Sequence, residues 1–287
     1  MSTIVQLAVA VGEPPLLPLA DAVTVAAAAV QAGIAAVRIT DGGLDPTVVA
    51  AYLAGRHGGV GYLVELPTTG NAPYNAARRI LSLDRAAGGR VGVALQAGDG
   101  DEVTGVSAPT DAARRWTEYS RVLIKLWESF PRAALIGDQE AGIVADDSLI
   151  RPIGHDGDFY RVAGPLDGPS SVQGRPVIVA DLGRLTVADV AATADVVVAG
   201  RDTSAGVRAA LPGAVLLGRV SFDTARPDAA ELLAWAEADG LDGFELAPTG
   251  GRDEVLATLR DLVPQLTATA APPVTLRAGY GLAAVAR

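Results

Sequence analysis

Short continuous apolar runs rich in β-branched residues recur along the chain, each followed by a turn and an Ala/Leu-rich stretch with helical spacing. Runs of this length read as strands buried on both faces, as in a parallel sheet. The first covers residues 4–11 and leads to a predicted helix over 19–31. A second strand at 35–40 precedes a helix that starts at Asp45-Pro46, an N-cap and first-turn pair, and ends near Gly55. Residues 60–66 and 90–96 make the third and fourth strands. Their helices run over 74–87, closed by Gly88-Gly89, and over 111–129. Further on, strands are predicted at 177–180, 196–199, 215–220 and 243–246, with helices near 186–193, 204–211, 228–238 and 253–266.

Eight strand–helix pairs favour closure into a (β/α)8 TIM barrel with right-handed crossovers. An open dinucleotide-binding sheet would carry a Gly-rich fingerprint after the first strand. Here that turn reads Gly12-Glu13-Pro14-Pro15. Between helix 4 and strand 5 lies an irregular excursion, 130–175, with a hairpin-like piece around 155–162. No composition break divides the chain, so 1–287 is one expected domain with the excursion inside it. The Ala-rich tail, 267–287, is weakly patterned and is expected to wrap the surface.

A hydrophobic share of 49% with 20% charged residues fits a chain that buries a large core. The formal charge of −10 argues against nucleic acid or an anionic membrane as partner, because phosphates attract basic patches. With no cysteine there is no disulfide, no thiolate nucleophile and no Cys-ligated metal, which fits a reducing cytoplasm. No basic segment precedes an apolar stretch at the start, and no apolar run approaches the ~20 residues of a bilayer span. A soluble cytoplasmic protein is expected.

Active sites of such barrels lie at the C-terminal ends of the strands. The candidates there are Glu13, Asp41, Thr68, Thr69, Gln96, Asp181, Arg201, Asp202, Ser221, Asp223 and Thr249. Taken singly, an Asp or Thr after a strand is more often the cap of the next helix. His57 falls before strand three, at the bottom of the barrel, and His155 in a Gly-rich turn of the excursion, so neither is placed for catalysis. Two distant histidines without cysteine rule out zinc sites of the usual type. No Gly-x-Ser-x-Gly elbow or phosphate-binding P-loop is present. An enzyme built from this inventory would borrow a cofactor.

Three blocks carry a family resemblance. The first is Asn71-Ala72-Pro73-Tyr74-Asn75-Ala76-Ala77-Arg78-Arg79, continuing through Leu81-Ser82-Leu83-Asp84 to Gly88-Gly89-Arg90. The second begins at Leu126-Trp127-Glu128-Ser129 and passes Arg151-Pro152-Ile153, His155, Gly157 and Phe159. It closes with Gly164-Pro165-Leu166 and Gln173-Gly174-Arg175-Pro176. The third is Asp242-Gly243-Phe244-Glu245-Leu246 with Val263-Pro264-Gln265-Leu266 and Thr275-Leu276-Arg277. In this order they resemble the bacterial-luciferase-like flavin monooxygenases, in the nitrilotriacetate and dibenzothiophene-sulfone branch.

The resemblance implies an oxidoreductase that uses reduced FMN and dioxygen on a small organic substrate. A separate flavin reductase would supply the FMN; deazaflavin F420 is the alternative cofactor. Asp41 and the pair Thr68-Thr69 match the family's residues after strands two and three, and Gln96 and Arg184 stand at two further cofactor positions. The branch's Asn-Val-Val-Thr-Ser after strand four is replaced by Ala94-Leu95-Gln96-Ala97-Gly98. Its small-residue phosphate turn after strand five is replaced by Asp181-Leu182-Gly183-Arg184, and its lid is shortened to 99–110. These departures leave a second reading open: a barrel without flavin, in a structural or regulatory role within a complex. Either way a homodimer, or a heterodimer with a related barrel, is expected.

Overall fold

The computed structural model describes residues 3–99, 111–268, 272–283 and 285. The first four apolar runs are the strands β1 (Ile4–Ala10), β2 (Ala36–Thr40), β3 (Gly61–Pro67) and β4 (Val91–Gln96). The excursion adds β5 (Leu135–Asp138), β6 (Ile143–Ala145), β7 (His155–Asp156) and β8 (Arg161–Val162). The last four runs are β9 (Val177–Asp181), β10 (Val196–Ala199), β11 (Val215–Phe222) and β12 (Gly243–Pro248). Eight of these close into one parallel barrel in the order β1-β12-β11-β10-β9-β4-β3-β2. Closure leaves no free sheet edge in the barrel.

Helices α1 (Leu19–Ala32), α2 (Pro46–Ala54), α3 (Pro73–Ala86), α4 (Ala112–Glu128), α5 (Val187–Val190), α6 (Val207–Ala210), α7 (Ala229–Asp239) and α8 (Arg252–Ala257) follow the barrel strands. Asp45, Asp111 and Asp228 cap α2, α4 and α7 by accepting from first-turn N–H groups. The helices predicted over 186–193 and 204–211 shrink to single turns. For α6 the reason is local. Gly206 enters with φ +77°, and Pro212 excludes helical geometry from the residue before it.

Alternation along the strands sorts two cores. Outward residues such as Val5, Leu7, Ile39, Val64, Val93 and Leu246 pack with the helices. Inward residues such as Ala36, Leu63, Ala94, Val179, Val198 and Leu217 fill the lower barrel together with Leu276 and Tyr280 of the tail. The tail therefore does not wrap the surface. Its one-turn helix, Leu276–Gly279, plugs the bottom of the barrel. Gly61 and Gly92 make the room, because a Cβ at either position would collide with Leu276. The weak pattern hid this, since only two large apolar residues enter.

In the excursion, β5 and β6 form a projecting hairpin, and β7 and β8 a second ribbon. The second ribbon is tied to α4 through Glu118, which accepts from His155 Nε2 at 2.9 Å and from the N–H groups of Phe159 and Tyr160 at 3.0 and 2.9 Å. His155 is thus a strand residue with a carboxylate partner rather than a turn residue. Tyr160 continues to the upper barrel, where its hydroxyl donates to the Thr68 carbonyl at 3.2 Å.

Asp84, at the end of α3, joins three segments. Its carboxylate accepts from Val91 N and from Gln173 Nε2, each at 2.8 Å, while Gln173 Oε1 accepts from Arg277 N at 3.1 Å. Burial pushes the Asp84 pKa up from 3.8 to about 6 against these hydrogen bonds. A carboxyl with a raised folded pKa favours the fold when protonated. Its contribution is therefore full below the unfolded pKa and lost as pH rises from 3.8 to about 6. The shift corresponds to roughly 3 kcal/mol. Asp84→Asn is expected to flatten the fall in stability across that window in urea unfolding; an unchanged slope would contradict this account.

Candidate functional site

Above the apolar lower barrel lies a layer of charge. Arg38 on β2 points into the barrel and is only 2% exposed. Its guanidinium meets three carboxylates: Glu65 on β3 at 2.6 Å, Asp181 on β9 at 2.8 Å and Glu245 on β12 at 3.2 Å. The contact with Asp181 is bidentate, with a second bond of 2.9 Å. Arg219 on β11 bonds Glu245 at 2.6 Å and Asp181 at 2.9 Å. Gln96 on β4 donates to Asp181 at 2.9 Å, and Gln6 on β1 donates to Glu245 at 2.5 Å. From below, the Tyr280 hydroxyl donates to Gln6 Oε1.

The layer holds two guanidinium groups against three carboxylates, a balance of −1 if all are ionised. Burial alone would lower the Arg38 pKa, but Glu245 and Asp181 hold it well above its ordinary value. Burial opposes ionisation of Asp181 too, and Arg38, then Arg219 and Gln96, pull its pKa far below the usual carboxylate range. Tyr280 is pushed upward, by burial and then by the Glu245 charge, so its hydroxyl stays a donor. The layer is a fixed polar floor.

The next inward positions on the longer strands are Ala8, Thr40, Pro67, Ser221 and Ala247, and β4, β9 and β10 end at or just past the charge layer. This leaves space above the floor, at the C-terminal mouth. The five cofactor candidates all stand on one side, past β2, β3, β4 and β9. Asp41 donates its N–H to Glu65 at 3.3 Å, and its carboxylate holds Gly42 N at 2.9 Å. Thr68 is buried, and its hydroxyl accepts from Gly98 N at 3.2 Å. The carbonyl of Thr69 accepts from Asn71 at 3.2 Å. Gln96 is committed to Asp181, and Arg184 pairs with Asp99 at the rim. The shortened lid predicted at 99–110 falls, beyond Asp99, outside the described residues.

On the other side, under the β1–α1 loop, a cavity of about 290 Å³ opens between the ends of β1, β2, β11 and β12. A larger cavity of about 700 Å³ lies at the opposite, N-terminal end, beside Arg208, Asp242 and the tail plug. Barrel chemistry belongs to the C-terminal mouth, so the smaller cavity is the relevant one. Sequence reasoning overlooked Arg38, Glu65, Arg219 and Glu245. Their signal was present: each is a lone charge inside an otherwise apolar strand, as in Ala36-Val37-Arg38-Ile39 and Gly243-Phe244-Glu245-Leu246.

Removing one member of a buried ion cluster costs about 3–5 kcal/mol, because the remaining charges lose their compensation. Arg38→Met is therefore expected to destabilise the fold by about that amount in denaturant titration. Adding Glu65→Gln to that variant should restore part of the loss. A destabilisation of Arg38→Met below about 1 kcal/mol would refute the buried-cluster account.

A family model described as luciferase-like monooxygenase matches residues 2–214. The dibenzothiophene-sulfone monooxygenase of Rhodococcus erythropolis is 33% identical over 141 residues, which cover 47% of this chain and 31% of the relative. The chain thus spans about a third of that relative's length. One of the subunits of pristinamycin IIA synthase, from Streptomyces pristinaespiralis, is 33% identical over 264 residues, covering 89% of this chain and 86% of the relative. Among solved structures, DmoA from Hyphomicrobium sulfonivorans superposes with a TM-score of 0.82 at 17% identity, over 98% of this chain and 92% of that one. That likeness concerns the fold alone. With three quarters of its length matched by the family model and a full-length relative at one-third identity, the chain belongs to the luciferase-like monooxygenase family.

Proposed function

We propose that the chain is the oxygenase component of a luciferase-like monooxygenase that uses reduced FMN and dioxygen to oxidise a small organic substrate. The observation that carries this reading is the mouth itself, a rigid polar floor at the C-terminal ends of the strands with small residues above it and a cavity to one side. Reduced FMN bound there would supply the electrons that activate dioxygen. Asp41, Thr68, Thr69 and Gln96 would line the polar side of the ring system, and Arg184 would meet the phosphate.

Magnitudes decide which cation is available. Arg38 and Arg219 are locked into the floor by several carboxylate bonds each. The Arg184–Asp99 pair is 59% and 77% exposed, and such surface pairs are worth about 0–1 kcal/mol. A phosphate dianion displaces Asp99 at little cost. The proposed phosphate end of the site therefore rests on Arg184.

A second reading, a barrel that lacks flavin and supports a related catalytic barrel, has one structural observation behind it. At the N-terminus of α5, the helix that follows the Asp181–Arg184 turn, Asp189 already accepts from the N–H and the hydroxyl of Thr186, at 2.7 and 2.6 Å. The pristinamycin IIA synthase relative, being one subunit of its enzyme, is consistent with a partner chain. Under the first reading a separate flavin reductase would supply the reduced flavin; no described helix is long and apolar enough to cross a membrane.

Anaerobic calorimetry with FMN, reduced FMN and reduced F420 separates the two. Micromolar binding of reduced FMN is expected, weakened about tenfold in Arg184→Ala, the equivalent of one lost charge-assisted hydrogen bond of about 1.5 kcal/mol. Absence of binding by all three cofactors would overturn the first reading and favour the second.

A further inference from the structure

The cavity under the β1–α1 loop differs in kind from the rest of the mouth. No charged side chain lines its 290 Å³. Its walls are Ala10 of β1, Leu16 of the loop, and Ala247 and Pro248 of β12. Thr40 of β2 and Ser221 of β11 also border it with hydroxyls that make no hydrogen bond among the described residues, whereas the Thr249 hydroxyl donates to the Phe222 carbonyl at 3.2 Å. Their floor neighbours two residues earlier, Arg38 and Arg219, are held by Glu65, Asp181 and Glu245, so neither offers the cavity a free cation.

We infer that this cavity is a ligand subsite for a neutral, mainly apolar small molecule bearing one hydrogen-bonding group. Three arguments select that class. The volume of about 290 Å³ falls just below the roughly 300–1,000 Å³ typical of small-molecule pockets, so it suits a fragment-sized group. An anion would enter without a cationic partner, over a floor whose two guanidinium groups already face three carboxyl groups, and would lose its hydration uncompensated. A wholly apolar ligand would desolvate these hydroxyls for nothing, whereas a hydroxyl or carbonyl on the ligand offsets that cost by pairing with one of them. The five cofactor candidates occupy the opposite side of the mouth and meet this cavity only at β2. Cofactor and small molecule would therefore lie side by side. That the ligand is the substrate rests on the flavin reading above; that the subsite exists does not.

The test uses three probes of one shape: p-cresol, toluene and 4-hydroxybenzoate, titrated into the whole chain by ligand-observed NMR and calorimetry. Saturable binding of p-cresol is expected, weaker binding of toluene, and 4-hydroxybenzoate at least tenfold weaker than p-cresol. Ala10→Phe and Ala247→Phe, which fill the cavity from different strands, should each weaken p-cresol at least tenfold while circular dichroism stays that of the parent. The two variants guard against one that fails to fold. Thr40→Val with Ser221→Ala should erase the advantage of p-cresol over toluene. No saturable p-cresol binding, equal affinity for 4-hydroxybenzoate, or undiminished binding in both filled variants would overturn the subsite. Reduced FMN titrated into the same proteins keeps the two claims apart. Failure of flavin with intact p-cresol binding removes the substrate assignment and leaves the subsite.

Discussion

The barrel turns on a single guanidinium. Arg38 sits at its centre, bound by carboxylates from β3, β9 and β12, and the interior is arranged around that contact. Below the charge layer the strands carry small and branched apolar residues capped by Leu276 and Tyr280; above it they carry almost nothing. Charges this deep are tolerable only when each has its partners, because the cost of dehydration exceeds what any one pair returns. The layer also fixes register. A strand shifted by one residue would turn its charge toward the helices and its apolar residue into the floor.

From this constraint the two sides of the mouth follow. The floor consumes Arg38 and Arg219, so neither is available to a ligand, whereas the exposed Arg184 can be recruited cheaply. Small residues above the floor leave room, and the sides differ in polarity. One presents Asp41, the threonine pair and Gln96; the other presents alanine, leucine and proline with two hydroxyls. Tyr280 adds a connection that the strands alone could not make. Its hydrogen bond to Gln6 passes the position of the tail plug to Glu245, and so to the floor.

Much of the fold was legible because it is written in strong, local signals. Eight apolar runs separated by helices announce a closed barrel, and Asp45-Pro46 marks its helix start without ambiguity. Where the signal was weak the physics lay elsewhere. Leu276 and Tyr280 are two residues in an Ala-rich tail, and their burial depends on gaps left by Gly61 and Gly92 far away in sequence. The floor was written in the strands as isolated charges. A lone arginine in an apolar run gives no hint of its partners until closure brings β2, β3, β9 and β12 together. Attention to strand ends found Gln96 and Asp181, which end β4 and β9, and passed over the members of the same layer that lie inside β2, β3, β11 and β12.

The central claim is that the C-terminal mouth, floored by the Arg38 cluster, is where this chain meets its ligands. Hydrogen–deuterium exchange of the whole chain, with and without reduced FMN under anaerobic conditions, tests it most directly. The account expects added protection in the segments that rim the mouth, after β1, β2, β3 and β9, and none in the segment around Pro212 or at the tail plug. Protection confined to the N-terminal face, beside the larger cavity, would contradict it.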